Sequence, residues 1–470
     1  MTSSSDSKFS ARVVRTMLIL VGIFMVAYAI SDHPLYGGEP GFGLTQMLIC
    51  ILGFMIALCS LLPVRITGNI LVLIVTSLVM LAIAELAGEA LLGSRFRPNY
   101  RYDDRLIFKF IPNRDSVMKR SAINGGNTVS YRINSSGYRG PELRPAGKAT
   151  RIAVYGDSFI HAFYSSQKDT FVGQLGSLLT QRIGKEVEVV NAGVSSYGPD
   201  QELLKMADEL PVLRPDLVIL EIYAGNDYGD LMRDKMFRLG TNGELEENHW
   251  IMDPASLASM KLSQRESILK RALRNLLGSI RPLPGRNGHP DKEDINNIDF
   301  LLKEADREYR SYIIEGNNIV DNTMVDYYSA DISLTPKSES ARYKVALMKA
   351  VMHKIRDVTQ LNGTPLVFLL VPHAVDVTDH YDSWTIDRKR FPDYNGRNQI
   401  APLEETARNL GVPFVSLYDI FRQHDANSLY FHVDDDHWNE AGQKLAAEVM
   451  ADYLISNNLL EAGKTKGVSK

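Results

Sequence analysis

The sequence predicts an α/β domain, a three-layer α/β/α sandwich around a parallel sheet, preceded by an N-terminal transmembrane helical segment. Three observations carry this reading. Apolar runs at roughly 16–31, 42–62 and 69–88 open the chain with almost no charge in them, and as helices they suit about 30 Å of hydrocarbon, the first only just. Farther on, Ile152–Tyr155, LVILEIY at 217–223 and PLVFLLV at 365–371 are continuously apolar, as strands covered on both faces are. These strands alternate with stretches of helical periodicity, the signature of a parallel sheet.

A chain of 470 residues is too long for one ordinary core. Its organisation reads as a membrane anchor with three transmembrane helices over 1–95, a juxtamembrane connector over 96–150 and the α/β domain over 151–460, interrupted at 228–335. The second and third apolar runs, joined by Pro63–Gly68, are expected to form a tight hairpin. Lys8, Arg12 and Arg15 precede the first span and Arg65 lies in the second loop, which puts the N-terminus in the cytoplasm and the large C-terminal portion outside. Arg95, Arg97, Arg101 and Arg105 pull the other way, but large domains translocate largely regardless of flanking charge. Ala27-Tyr28-Ala29 also fits a signal-peptide cleavage site, and cleavage there would leave the same portion outside. The expected location is the cytoplasmic (inner) membrane, multi-pass, with the large C-terminal domain periplasmic.

Residues 96–150 are mixed and turn-rich, with Gly125-Gly126 and Ser135-Ser136-Gly137 as breakers. From 151 the elements follow in order: strand 152–155, helix 170–183, strand 187–191, helix 201–210 and strand 217–223. A polar insertion at 228–335 interrupts them, with helices expected near 262–278 and 299–310, and reads equally as a lid or wall of the site and as an appendage. The rhythm resumes with helix 340–360, strand 365–371, helix 401–410, strand 412–417 and helix 440–456. Lys and Arg total 52 against 56 Asp and Glu, for a net charge of −4, so a nucleic-acid partner is not expected. Cys50 and Cys59, the only cysteines, both lie in an apolar run, which excludes disulfides and cysteine-based zinc sites from the polar remainder.

The chemistry begins at the end of the strand at 151–155. Tyr155-Gly156-Asp157-Ser158 puts a serine at the strand edge where α/β sheets collect ligands. A serine hydroxyl needs a base, an orienter for that base, and donors for the developing oxyanion. The lipase elbow Gly-x-Ser-x-Gly is absent, since Ile160 takes its last position. Farther along stand Asn191-Ala192-Gly193, Gly225-Asn226-Asp227 and Asp434-Asp435-Asp436-His437-Trp438-Asn439.

These four blocks, in this order and in these strand contexts, resemble the SGNH (GDSL-type) hydrolase family over about 151–227 and 340–456. YRINSSGYRGPE before the domain and SYGPDQ after the second block resemble envelope-associated bacterial members. The resemblance implies Ser158 as nucleophile, with its N–H, that of Gly193 and the Asn226 amide as the oxyanion hole. It implies His437 as base. The family's acid three residues before the histidine is Asp434, whereas Asp435 matches the Asp-x-His-Trp-Asn form of alginate-acetylation relatives. No metal and no cofactor is implied. The plainer readings are a helix-capping Ser158, turn residues at Asn226 and Asp227, and a solvated acidic loop. Asp157 is read as holding its loop by hydrogen bonds, and His161, His373 and His432 are left without a role.

The expected protein is a membrane-anchored extracytoplasmic esterase or O-acyltransferase acting on an acylated envelope polysaccharide or lipid. An acyl-carrying membrane protein is an expected partner. The alternative is an inactive module that binds glycan or scaffolds an envelope assembly. A transport path is disfavoured, because Glu85 and Glu89 are nearly the only charges in the spans.

Overall fold

The computed structural model describes residues 3–31, 43–96, 99–265, 267–269, 271, 298–321, 329–378, 386–432 and 435–460. The chain divides into two units. One is Met1–Phe96 with Arg265–Ile280, and the other is Arg97–Gln264 with Arg281–Lys470.

The first unit holds α1 (Ser3–Ile30), α2 (Leu44–Leu58, extended by a 3-10 turn to Leu61) and α3 (Val64–Phe96). Among the described residues, two helices are long and apolar enough to cross a membrane, Ala11–Ile30 and Val64–Leu91. The second apolar run makes a shorter helix, Gln46–Leu61, and at 1.5 Å per residue it spans about 24 Å, less than the hydrocarbon core. The closest packing is between α1 and α2, whereas the expected hairpin paired α2 with α3. The reason is small residues. A Cβ on Gly22 would stand 2.5 Å from the Gly53 carbonyl oxygen, and one on Gly53 would stand 2.9 Å from that of Gly22, so backbone meets backbone where the helices cross. On α3, Glu85 accepts hydrogen bonds from the N–H groups of Ile268 and Leu269 at 2.7 and 3.1 Å. Those residues come from the insertion, so part of it belongs to this unit.

The second unit opens with two antiparallel pairs, β1 (Tyr100–Asp103) with β2 (Ile107–Phe110) and β3 (Arg114–Lys119) with β4 (Thr128–Ile133). The stretch expected as a connector therefore belongs to the second unit. In β4, Val129, Tyr131 and Ile133 are buried and alternate with exposed Thr128, Ser130 and Arg132, and Ile107, Phe108 and Phe110 join the main core. Period-two burial of this kind fixes a strand on a larger body.

The central sheet comprises β5 (Thr150–Tyr155), β6 (Val187–Asn191) and β7 (Leu217–Tyr223). After the insertion's short pairs β8 (Phe237–Leu239) with β9 (Leu245–Glu247) and β10 (Ile251–Met252) with β11 (Ile319–Val320), it is completed by β12 (Leu366–Val371) and β13 (Phe414–Ser416). Its order is β13-β12-β7-β5-β6, all parallel. Every residue of β5, β7 and β12 is buried, as sequence continuity predicts for strands covered on both faces. The chain moves from β5 to β6 on one side and then crosses back to β7 on the other. The loop after β5 therefore lies at the switch point, where such sheets open a crevice.

Helices Phe171–Ile183, Pro199–Leu213, Glu339–Leu361, Ile400–Leu410 and Glu440–Ser456 lie close to their expected bounds. Several start on side-chain caps: Thr170 accepts from Gly173 N–H, Ser338 from Ala341, and Asn439 from Ala441 and Gly442. In the insertion, a helix at Pro254–Arg265 stands earlier than expected, and most of 262–278 lies outside the described residues. Ile298–Tyr309 is helical as expected and runs on into a π-helical turn to Ile314.

Candidate active site

Ser158 is delivered by the turn that ends β5. Gly156 makes the turn feasible, because a Cβ there would stand 2.5 Å from Ile160 Cγ1 and 2.6 Å from Glu221 Oε2. Asp157 caps the short helix Ser158–His161, accepting the Phe159 N–H at 2.7 Å. This is the loop-holding role expected for it from sequence. A second clamp comes from the YRINSSGYRGPE stretch. Arg139, 2% exposed, donates to the carbonyls of His161 and Ser165 and lies over the Tyr131 ring. It also bridges in the antiparallel sense to Asn191 at the end of β6.

His437 reaches the serine from the far end of the chain. Its Nε2 lies 2.6 Å from Ser158 Oγ, and its Nδ1 lies 2.6 Å from Asp435 Oδ1. The same Asp435 oxygen accepts the His437 backbone N–H at 3.0 Å. A carboxylate on Nδ1 selects the tautomer that leaves Nε2 bare toward the hydroxyl. Burial works against the imidazolium, but the charges of Asp435, Asp436 and Asp157 and the Asp435 hydrogen bond outweigh it and hold the group above the ordinary imidazole range. The ring is fixed by stacking on Phe159 at 4.9 Å and by the edge of Phe163 at 5.5 Å. It keeps 22% of its surface open, enough to be reached.

Three consecutive aspartates precede the histidine, and they have separate surroundings. Asp434 lies outside the described residues. Asp435 holds His437, and Asp436 accepts the Tyr223 hydroxyl at 2.8 Å. Asp435, Asp436 and His437 are also the one group among the described residues close enough to share a cation. Their oxygen and nitrogen atoms already engage one another, Tyr223 and Ser158, an arrangement that suits proton transfer.

Gly193 packs directly on the serine's helix. A Cβ there would stand 2.6 Å from Ile160 Cβ and 2.7 Å from the His161 nitrogen, and its N–H donates to Asn191 Oδ1 at 3.2 Å. Asn226, 6% exposed, sits at the end of β7. Its side chain makes no cap bond to the helix Asp227–Asp234 that follows, and its Oδ1 is buried with no hydrogen-bond partner among the described residues. The structure thus joins Ser158, His437 and Asp435 by hydrogen bonds, and places Gly193 and Asn226 at the ends of the two strands that flank β5.

A cavity at Ser158 is lined by Ala162, Phe163, Tyr164, Phe431, His437 and Trp438, among others, and an adjoining one by Arg120, Ser121, Asn124 and Asp435. Arg120 and Asn124 come from the β3–β4 turn. Arg120 donates to the Tyr164 carbonyl at 2.8 and 2.6 Å, pairs with Glu440 and stacks over Phe431. Asn124 grips His432 twice, accepting its N–H at 2.9 Å and donating to its carbonyl at 3.1 Å. No described residue of the insertion, which reads equally as a lid or wall and as an appendage, lines either cavity. Of the histidines left without a role, His432 is held by its backbone and His373 lies 3.6 Å from Asp436. His161 is buried against Ser195 Oγ at 2.6 Å, where burial, then Arg139 and His437, keep it neutral.

The search of curated proteins gives no match. Among solved structures, a putative lipolytic protein of the G-D-S-L family from Desulfitobacterium hafniense DCB-2 is 10% identical, covers 65% of this chain and 99% of its own, and has a TM-score of 0.31. The psychrotrophic esterase EstA from Pseudoalteromonas sp. is 11% identical over 66% of this chain and 98% of its own, with a TM-score of 0.32. An acetyl-xylooligosaccharide esterase mutant from Geobacillus stearothermophilus is 12% identical over 69% of this chain and 98% of its own, with a TM-score of 0.31. The family model of the GDSL-like Lipase/Acylhydrolase family matches residues 154–445, more than half of the 470. The match starts inside the strand that delivers Ser158 and runs past His437, and on it the chain belongs to the GDSL-like lipase/acylhydrolase family, whose chemistry is hydrolysis of ester bonds.

Proposed function

We propose that this acylhydrolase is a membrane-anchored, extracytoplasmic serine esterase or O-acyltransferase, with Ser158 as nucleophile, His437 as base and Asp435 as the group that orients it. The observation that carries the reading is the unbroken chain of contacts from Asp435 through His437 to Ser158, each 2.6 Å long. As Ser158 Oγ attacks an ester carbonyl, its proton passes to His437 Nε2 and the carbonyl π electrons move onto oxygen. The oxyanion is received by the N–H groups of Ser158 and Gly193 and the Asn226 amide, a single donor of this kind being worth about 3–4 kcal/mol in the transition state. Collapse expels the alcohol, which takes the proton from His437, and leaves an acyl group on Ser158. A water or a sugar hydroxyl, deprotonated by the same imidazole, then removes it.

The cavity at Ser158 is bounded by Ala162, Phe163, Phe431 and Trp438 and suits a short acyl chain. The apolar helices Ala11–Ile30 and Val64–Leu91 favour a substrate at the envelope, an acylated glycan or lipid. The test is labelling by a fluorophosphonate, with wild type compared against Ser158→Ala, alongside turnover of a short-chain acyl ester. Wild type is expected to label and turn over, and the variant to do neither. A folded wild type that neither labels nor cleaves would favour the binding-module reading.

A further inference from the structure

We propose that the β3–β4 turn builds a sugar subsite beside Ser158, so that the alcohol half of the ester is a neutral pyranose; this deepens the reading of Ser158 as nucleophile and rests on it. The cavity at Ser158 and the adjoining one share Tyr164 and Phe431 as a common wall. Ala162, Phe163 and Trp438 make the rest of the first cavity largely apolar, and its polar members Ser165 and Gln443 bond to each other at 2.8 Å. The second is completed by Arg120, Ser121, Asn124 and Asp435. An ester laid across the shared wall thus keeps its acyl chain in the apolar room and a polar group in the other. Its alcohol oxygen has to stand beside His437 Nε2, the nitrogen that hands it the proton as it leaves. Asp435, 2.6 Å from the other nitrogen of the same ring, lines the second cavity, so the polar room opens on the imidazole's flank.

The second cavity has the parts that hold a pyranose. A sugar ring presents apolar faces and a rim of hydroxyls, and an aromatic wall with hydrogen-bonding groups around it matches both. Tyr164 and Phe431 meet edge to face at 6.0 Å, and the Arg120 guanidinium lies 5.1 Å from the centre of the Phe431 ring. Arg120 spends Nε and Nη2 on the Tyr164 carbonyl and on Glu440. Its Nη1 makes no hydrogen bond among the described residues and is the donor left for a hydroxyl. Asn124 holds the wall instead, with both sides of its amide on the His432 backbone and its nitrogen 3.2 Å from Ser121 Oγ.

Charge decides against a phosphate headgroup. Arg120 pairs with Glu440 and Asp435 holds His437, so each charge already meets its opposite and an anion finds no surplus positive charge. The turn lies between Lys119 and Thr128, ahead of residue 154 where the family match begins. The subsite is this chain's own addition to the esterase domain.

The test compares esters that share one acyl group, ethyl acetate and a panel of mono-O-acetylated methyl hexopyranosides, with the full chain as enzyme. Ser121→Phe puts a ring into the second cavity and is expected to lower the ratio of kcat/KM for the best pyranoside acetate over that for ethyl acetate by at least about tenfold. Arg120→Lys keeps a cation for Glu440 but lacks Nη1, and is expected to lower the same ratio several-fold. Binding is read without turnover in the Ser158→Ala chain, where unacetylated methyl hexopyranosides are expected to give saturation-transfer NMR signals that adding Ser121→Phe abolishes. Ratios unchanged in both variants, transfer signals that survive Ser121→Phe, or a larger loss on dihexanoyl phosphatidylcholine than on every pyranoside acetate overturns the subsite. Absence of turnover on every ester, with transfer signals that Ser121→Phe abolishes, counts against Ser158 as nucleophile and supports the sugar site.

Discussion

Residues 99–150 and the insertion 228–335 look alike as sequence, polar and broken by turns on either side of the regular strand–helix alternation. The structure gives them opposite relations to the site. The first stretch sends Arg139 under the serine's helix and Arg120 and Asn124 against the loop that carries His437. The described part of the insertion pairs its own short strands, packs on the helix Glu339–Leu361 and lines neither cavity at Ser158. Position relative to the C-terminal edge of the sheet decides which excursion matters, and chain-end proximity or polarity does not.

Four variants sharpen or break that contrast. The top of the scale is Asp435→Asn, expected to lower kcat by about 10⁴-fold, because the amide cannot hold the Nδ1–H tautomer. Removing that negative charge also lowers the His437 pKa, so the acid limb of the residual kcat/KM profile moves to lower pH. Equal loss in an Asp434→Asn variant with Asp435 intact would shift the orienting role. Next is Arg139→Met, which orphans two buried carbonyls. It is expected to cost about 2–3 kcal/mol of unfolding free energy in urea. Asn124→Ala removes both bonds to His432 and should lower kcat by roughly tenfold through a loss near 1.4 kcal/mol, with KM little changed. Smallest is Arg238→Ala on the insertion hairpin, where a half-exposed pair with Glu246 spans 3.7 Å. It should change stability by less than about 0.5 kcal/mol and leave kcat alone. A larger catalytic loss in Arg238→Ala than in Asn124→Ala would break the contrast.

The central strands β5, β7 and β12 were legible because burial on both faces leaves largely apolar runs, and Tyr155-Gly156-Asp157-Ser158 marks the sheet's edge directly. Other features were hidden for physical reasons. Asp434, Asp435 and Asp436 are chemically identical neighbours, and only the loop's path decides which carboxylate meets Nδ1. The alternation of TVSYRI at 128–133 does carry the β4 signal, but its partner RDSVMK has no clear period and buries only Ser116. Arg120 and Arg139 look like surface cations until the carbonyls they serve are brought in from about 20 to more than 40 positions away. The crossing of α1 and α2 rests on Gly22 and Gly53 meeting, a match between helices that neither run reveals alone.

Ser158 and His437 are 279 positions apart in the chain, yet they meet within 2.6 Å. At about 5–20 residues per second of synthesis, a ribosome spends roughly 14 to 56 s between making one and making the other. On the proposed triad, the hydroxyl lacks its partner imidazole for that interval. If Ser158 and His437 act as proposed, ester cleavage is thus withheld from every unfinished copy until the segment that carries His437 is made.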